Sequence, residues 1–117
     1  MKTSPFNFTH MKHILSEINP TEKIPGFHGR FVHMEGFTLA YWEVKEGAIL
    51  PEHSHENEQS SQVTEGKFEL TIDGHTQVYG PGEIATVPAN AVHSGKALTD
   101  CKITDVFSPA RPEYSND

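Results

Sequence analysis

The stretch "GAILPEHSHENEQSSQVTEG" spans residues 47–66. A glycine closes each end. His53 and His55 stand one residue apart inside it, and Gln59 follows four positions after His55. In extended chain, residues i and i+2 point to the same face, with Cα atoms about 6.6 Å apart. Two imidazoles so spaced can converge on one ion, with metal–nitrogen bonds of about 2.0–2.1 Å. Gln59 has the same strand parity and is read as an oxygen ligand. His93 follows later, after a turn, in "PANAVHSG" (88–95). Two to three histidines with an oxygen donor make an open divalent-metal site, and a His–Gln set suits Zn, Ni, Mn, Fe or Co. An H-x-H pair alone arises often by chance, so its weight comes from its surroundings. His10, His13, His28, His33 and His75 read as solvated or hydrogen-bonded side chains.

Those surroundings are β in character. "RFVHM" (30–34) is a short strand candidate, and "FTLAYWEV" (37–44) is rich in β-branched and aromatic residues between Gly36 and Gly47. "QSSQVTEG" (59–66) and "KFELTI" (67–72) come next. Phe68, Leu70 and Ile72 alternate with Lys67, Glu69 and Thr71, which predicts one buried and one wet face. Asp73-Gly74 predicts a two-residue hairpin turn, with "HTQVY" (75–79) as the return strand. "EIATVP" (83–88) and "CKITDVF" (101–107) are the last strand candidates. Residues 1–20 carry no clear pattern: "KHILSEI" (12–18) suits one or two helical turns, and Asn19-Pro20 a turn. Eight or nine short strands separated by turns predict a sandwich or barrel.

With 117 residues the chain is expected to form one domain. A hydrophobic content of 35% is low for a helical bundle but suits a thin-walled barrel, which needs only alternate residues inside. The net charge is −7 with no Lys/Arg run, the opposite of what a nucleic-acid groove needs. The one cysteine, Cys101, excludes an internal disulfide and fits a reducing compartment. No secretory h-region opens the chain, and no apolar run approaches the ~20 residues of a membrane helix. A cytoplasmic protein without membrane contact is expected.

"DVFSPAR" (105–111) forms a second constellation. Asp105 and Phe107 share a face with Cys101 and Ile103, so they are expected to face the lumen. An Asp inside an apolar barrel is costly unless paired or functional. Arg111, beyond the Ser108-Pro109 break, can grip a carboxylate through two parallel hydrogen bonds at the barrel mouth. On the residues alone, this functional reading and a structural Asp105–Arg111 ion pair stand level.

The pattern Gly47-x5-His53-x-His55-x3-Gln59-x6-Gly66 resembles the first cupin motif at every spacing, with Gln59 where that motif has Glu. Gly82-x5-Pro88-x-Asn90-x2-His93 resembles the second. Asn90 stands there in place of a Gly, and Ala97 in place of a final Asn. Asn enters the left-handed region more readily than most residues. The resemblance spans about residues 35–111, with 1–34 as an N-terminal arm and first strands and 112–117 as a C-terminal tail. It implies an all-β jelly-roll barrel with a divalent metal in its lumen.

Together with "DVFSPAR", the pattern is similar to the small single-domain cupins of pectin and alginate breakdown, which linearise 4,5-unsaturated uronates. That resemblance implies metal ligands His53, His55, Gln59 and His93. It implies catalytic roles for Asp105, Phe107 and Arg111, with Phe107 packing on a sugar face. The implied ligand is a small anionic sugar or metabolite. A homodimer is also expected, with "FNF" (6–8) as a candidate arm adding to a partner's sheet edge. Two other readings remain: a different metal-dependent cupin enzyme, such as an oxygenase or epimerase, and a non-catalytic sugar- or metabolite-binding cupin. An Fe(II) oxygenase commonly uses a carboxylate ligand, which Gln59 does not supply.

Overall fold

The computed structural model of the chain describes residues 8–114. The expected "FNF" arm falls largely outside them. After a single 3-10 turn at Leu15–Glu17, the described residues form ten strands. They are β1 Thr21–Ile24, β2 Phe27–His33, β3 Thr38–Val44, β4 Ile49–His53 and β5 Glu58–Glu65. β6 Phe68–Ile72, β7 His75–Tyr79, β8 Ile84–Val87, β9 His93–Ala97 and β10 Cys101–Ser108 complete the chain. All pairings are antiparallel, in two facing sheets ordered β1-β2-β3-β10-β5-β8 and β4-β9-β6-β7. The crossovers between sheets close a jelly-roll barrel, the fold expected from the strand pattern.

Alternation sets the inside and outside. In β10, Cys101, Ile103, Asp105 and Phe107 are buried, while Lys102, Val106 and Ser108 face out. β5 pairs with it so that Gln59 lies opposite Phe107, Ser61 opposite Asp105 and Val63 opposite Ile103. The lumen is therefore layered: a polar layer at one end gives way, within two residue steps, to hydrocarbon. Phe27, Trp42 and Phe68 fill the hydrocarbon end with edge-to-face contacts at 6.1–6.2 Å. Such pairs add about 0.5–1.5 kcal/mol beyond the area they bury.

The turns follow their residues. Asp73 (φ 47°) and Gly74 (φ 82°) both sit in the left-handed region that a two-residue hairpin requires. Asn90 (φ 64°) adopts the conformation for which a glycine was the alternative. Gly66 combines a positive φ with close approach, since an added Cβ would run into the Asp100 carbonyl.

Ten strands form among the described residues where eight or nine were expected, and three further features differ from the sequence reading. β2 begins at Phe27 rather than residue 30, and β1 precedes it, because β1 and β2 fold as a hairpin around Gly26. "KHILSEI" forms only the one 3-10 turn. β4 stops at His53, so His55 lies in the connection to β5 and not on a strand.

Candidate metal centre

His53 ends β4 and lies opposite His93, the first residue of β9. Their ring centroids are 4.2 Å apart, and the ring of His55 comes within 5.6 Å of His53 and 4.9 Å of His93. One nitrogen from each ring falls within 4.8 Å of the others. Gln59 enters from β5 with its Oε1 3.0 Å from His55 Nε2. Its arrival depends on β5 register: the bend at 54–57 interrupts the strand parity that first linked it to the histidines.

The hydrogen bonds settle which nitrogens face the centre. Nδ1 of His53 lies 2.7 Å from the Pro51 carbonyl, Nδ1 of His55 3.0 Å from that of Asn57, and Nδ1 of His93 2.9 Å from that of Ala91. A carbonyl only accepts, so each Nδ1 carries the hydrogen and each neutral ring turns an Nε2 lone pair inward. His93 Nε2 is buried with no hydrogen-bond partner. Burial lowers the pKa of both His55 and His93; the Arg111 charge adds to this at His55, while the Ala91 hydrogen bond opposes it at His93. A neutral His55 would then point a lone pair at the Gln59 carbonyl oxygen, with nothing between the two acceptors. A cation shared by three Nε2 atoms and this oxygen satisfies all four, so the residues present fit a divalent ion.

The other side of Gln59 is tied down. Its Nε2 donates to Ser61 Oγ at 2.8 Å and lies 3.4 Å from Asp105 Oδ2. Asp105 is buried at 7% exposure; the Trp42 indole donates to its Oδ2 at 3.1 Å, and its Oδ1 has no partner. Burial pushes its carboxyl up from 3.8 to about 7, although hydrogen bonds from Ser61 and Trp42 and the charge of Arg111 pull the other way. No ion pair joins Asp105 to Arg111 among the described residues. Instead the Arg111 guanidinium lies over the rings of Phe107 (4.9 Å) and Tyr114 (4.1 Å), and its Nε donates to Glu113 at 3.1 Å. Phe107 also packs edge-on against His55, with centroids 5.8 Å apart.

His53, Gln59, His93, Asp105, Phe107 and Arg111 all line one cavity of about 390 Å³. Edge strands β1 (Lys23, Ile24) and β4 (Leu50, Pro51), with Glu113 and Tyr114, complete its wall.

Sequence reasoning missed four participants. Ser61 was findable, being two residues beyond Gln59 on the same strand. Trp42 was findable too: it shares a face with Ala40 and Val44, and a buried indole N–H needs an acceptor. Tyr114 and Glu113 sit in a Pro-rich tail whose composition carries no periodicity. Tyr114 nonetheless folds back to stack on Phe31 at 5.1 Å.

Comparison with known proteins adds three relatives. The pectin degradation protein KdgF of Dickeya dadantii (strain 3937) is 30% identical over 70 residues, which are 58% of this chain and 64% of that protein, a little under two thirds. The structure of KdgF from Halomonas sp. superposes with a TM-score of 0.86 at 26% identity, over 92% of this chain and all (100%) of that one. An RmlC-like cupin from Shewanella frigidimarina NCIMB 400 superposes equally well, TM-score 0.86, at 23% identity over 92% and 97% of the two chains, a likeness of fold alone. The family model described as Cupin domain matches residues 40–107, more than half of the sequence, from within β3 to Phe107, so the chain belongs to the cupin family.

Proposed function

We propose that this cupin opens a 4,5-unsaturated uronate to its linear keto form, using a divalent metal held by His53, His55, Gln59 and His93. The observation that carries the reading is one cavity lined both by inward-turned histidine nitrogens and by a buried, partnerless carboxyl oxygen on Asp105. The likeness to the pectin degradation protein KdgF supports a small sugar acid as substrate.

Arg111 binds the carboxylate. Its Nε is engaged by Glu113, so the carboxylate would be met by the terminal guanidinium nitrogens, through two parallel hydrogen bonds. The guanidinium rests over the rings of Phe107 and Tyr114, which hold it in place. Phe107 lines the cavity too, where its ring would meet a sugar face.

Asp105 moves the proton. It takes the hydrogen of the anomeric hydroxyl as the ring C–O bond breaks, and the bond's electrons pass to the oxygen on the alkene carbon. The proton is returned to the neighbouring carbon, which turns the enol into a ketone. Nothing is gained or lost overall. A carboxyl near pH 7 is available in both forms, which a base that becomes an acid requires. A divalent ion bound to the histidines supplies fixed positive charge where anionic oxygen develops. Neutral ligands leave its charge uncompensated, which favours an anionic substrate. Ring opening also proceeds slowly uncatalysed, so a 10³-fold gain, about 4 kcal/mol, suffices.

The test is incubation of the purified protein with unsaturated monouronates, following loss of the conjugated-alkene absorbance. Loss no faster than in protein-free buffer, with metal bound, overturns the reading.

A further inference from the structure

We infer that the inner end of the cavity is an apolar subsite, and that the ligand is a carboxylate with a flat, hydroxyl-free edge that enters it. This rests on the reading of Arg111 as the carboxylate grip and goes beyond it by fixing which part of the ligand faces inward. The inward residues of β10 run Phe107, Asp105, Ile103, and those of β5 run Gln59, Ser61, Val63. The polar groups therefore end at the Asp105–Ser61 pair. Past them the cavity continues between Phe27, Val63, Phe68, Leu70 and Ile103, whose side chains carry no nitrogen or oxygen. The backbone there is paired in the ladders β10–β3 and β6–β9, and at Val63, beside a bulge in β10–β5, it bonds to Glu83 and Gly82. Trp42, which also lines the cavity, spends its N–H on Asp105.

A hydroxyl pushed into that end loses its water and gains no partner, which costs free energy. Alkene or aryl carbon loses nothing and is removed from water. In the uronate reading the inward edge is the alkene carbon that lacks a hydroxyl. The remaining hydroxyls then face away from it, toward a wall that also holds the charged side chains of Lys23 and Glu113. Hydrocarbon pockets discriminate against an added hydroxyl by about 10²-fold, and this subsite sets the preference for dehydrated over saturated sugar acids.

The test needs no turnover. Cyclohex-1-ene-1-carboxylate keeps the ring, the alkene and the carboxylate without hydroxyls. Glucuronate keeps the ring and carboxylate with its hydroxyls. Both are titrated calorimetrically into the protein as purified, into Arg111→Ala, and into Leu70→Phe, which fills the inner end. The expected result is that the ene-carboxylate binds at least about tenfold more tightly to the wild type, that Arg111→Ala weakens both ligands, and that Leu70→Phe abolishes only the ene-carboxylate's advantage. Equal binding, or tighter binding of glucuronate, overturns the inference and leaves the carboxylate grip standing. An advantage that survives in a folded Leu70→Phe also overturns it. If Leu70→Phe does not fold, the wild-type comparison still decides. Failure of both ligands to bind, or indifference of both to Arg111→Ala, overturns the grip and the inference with it.

Discussion

Asp105 separates an enzyme from a binding module. Asp105→Asn keeps the shape and removes the base, so turnover should fall about 10²–10⁴-fold while substrate still binds. A normal rate from the folded variant sinks the catalytic role. The same substitution has a second readout. The folded carboxyl holds its proton up to about pH 7, far above its ordinary 3.8. Ionising it in the fold is therefore unfavourable, and its contribution to stability declines as pH rises from about 4 to 7. Metal-free Asp105→Asn should gain in melting temperature relative to wild type on going from pH 5 to pH 8, by about 4 °C for each 1 kcal/mol relieved. A gap that does not change with pH means that Asp105 does not ionise unfavourably in the fold. Gln59→Glu adds a negative charge at the ion. It should tighten metal binding and weaken binding of an anionic sugar acid, read in paired titrations. Unchanged metal affinity means that Gln59 does not touch the ion.

The C-terminal segment that brings Arg111, Glu113 and Tyr114 to the cavity is held by a directed hydrogen-bond chain. Arg111 N–H donates to Thr38 Oγ1 at 2.8 Å, Thr38 Oγ1 lies 2.8 Å from His33 Nδ1, and His33 Nε2 lies 2.8 Å from the Tyr114 carbonyl. The carbonyl accepts, so Nε2 carries the hydrogen and Nδ1 accepts from the threonine. The Asn57 amide adds a bond to the Pro109 carbonyl at 2.6 Å, joining the His55 loop to the same segment. Thr38→Val removes the middle of the chain and takes the acceptor from the half-buried Arg111 N–H, a cost of about 1 kcal/mol. It should raise KM more than it lowers kcat and speed amide exchange over residues 109–114. Unchanged exchange there means that the chain does not hold the segment. The elements around this latch show what sequence can and cannot reveal. β3, β6 and β10 were legible because alternation writes a buried face directly into residue order. The end of β4 at His53 was not, since "HSH" reads as strand until the bend at 54–57 is known. Tyr114 was invisible because its burial depends on contacts with Phe31 and Trp42, which are more than seventy residues away in sequence.

At the scale of the whole molecule, the candidate metal centre spans the two sheets. His53 and His93 belong to the four-stranded sheet, Gln59 to the six-stranded sheet, and His55 to the link between them. An ion there cross-links the barrel, and binding to the folded state alone stabilises by about 2.7 kcal/mol at 100 times its Kd. Chelation should lower the melting temperature, and one of Zn, Ni, Mn, Fe or Co should restore it. His93→Ala should abolish that restoration. A melting point indifferent to chelator and to every one of these ions would argue against the site. Among the described residues, no helix is long and apolar enough to cross a membrane.

The three histidines take their orientation from the carbonyls of Pro51, Asn57 and Ala91, each two positions away along the chain. No point substitution deletes a carbonyl, so the imidazole cage is insulated from drift in the side chains around it. Position 59 has no such anchor, because Gln59 is steered by Ser61, a side chain that mutation can remove. The barrel thus inherits a fixed three-nitrogen platform and one exchangeable corner. A lineage built on it can retune its charge, and with it the chemistry it hosts, by a single codon.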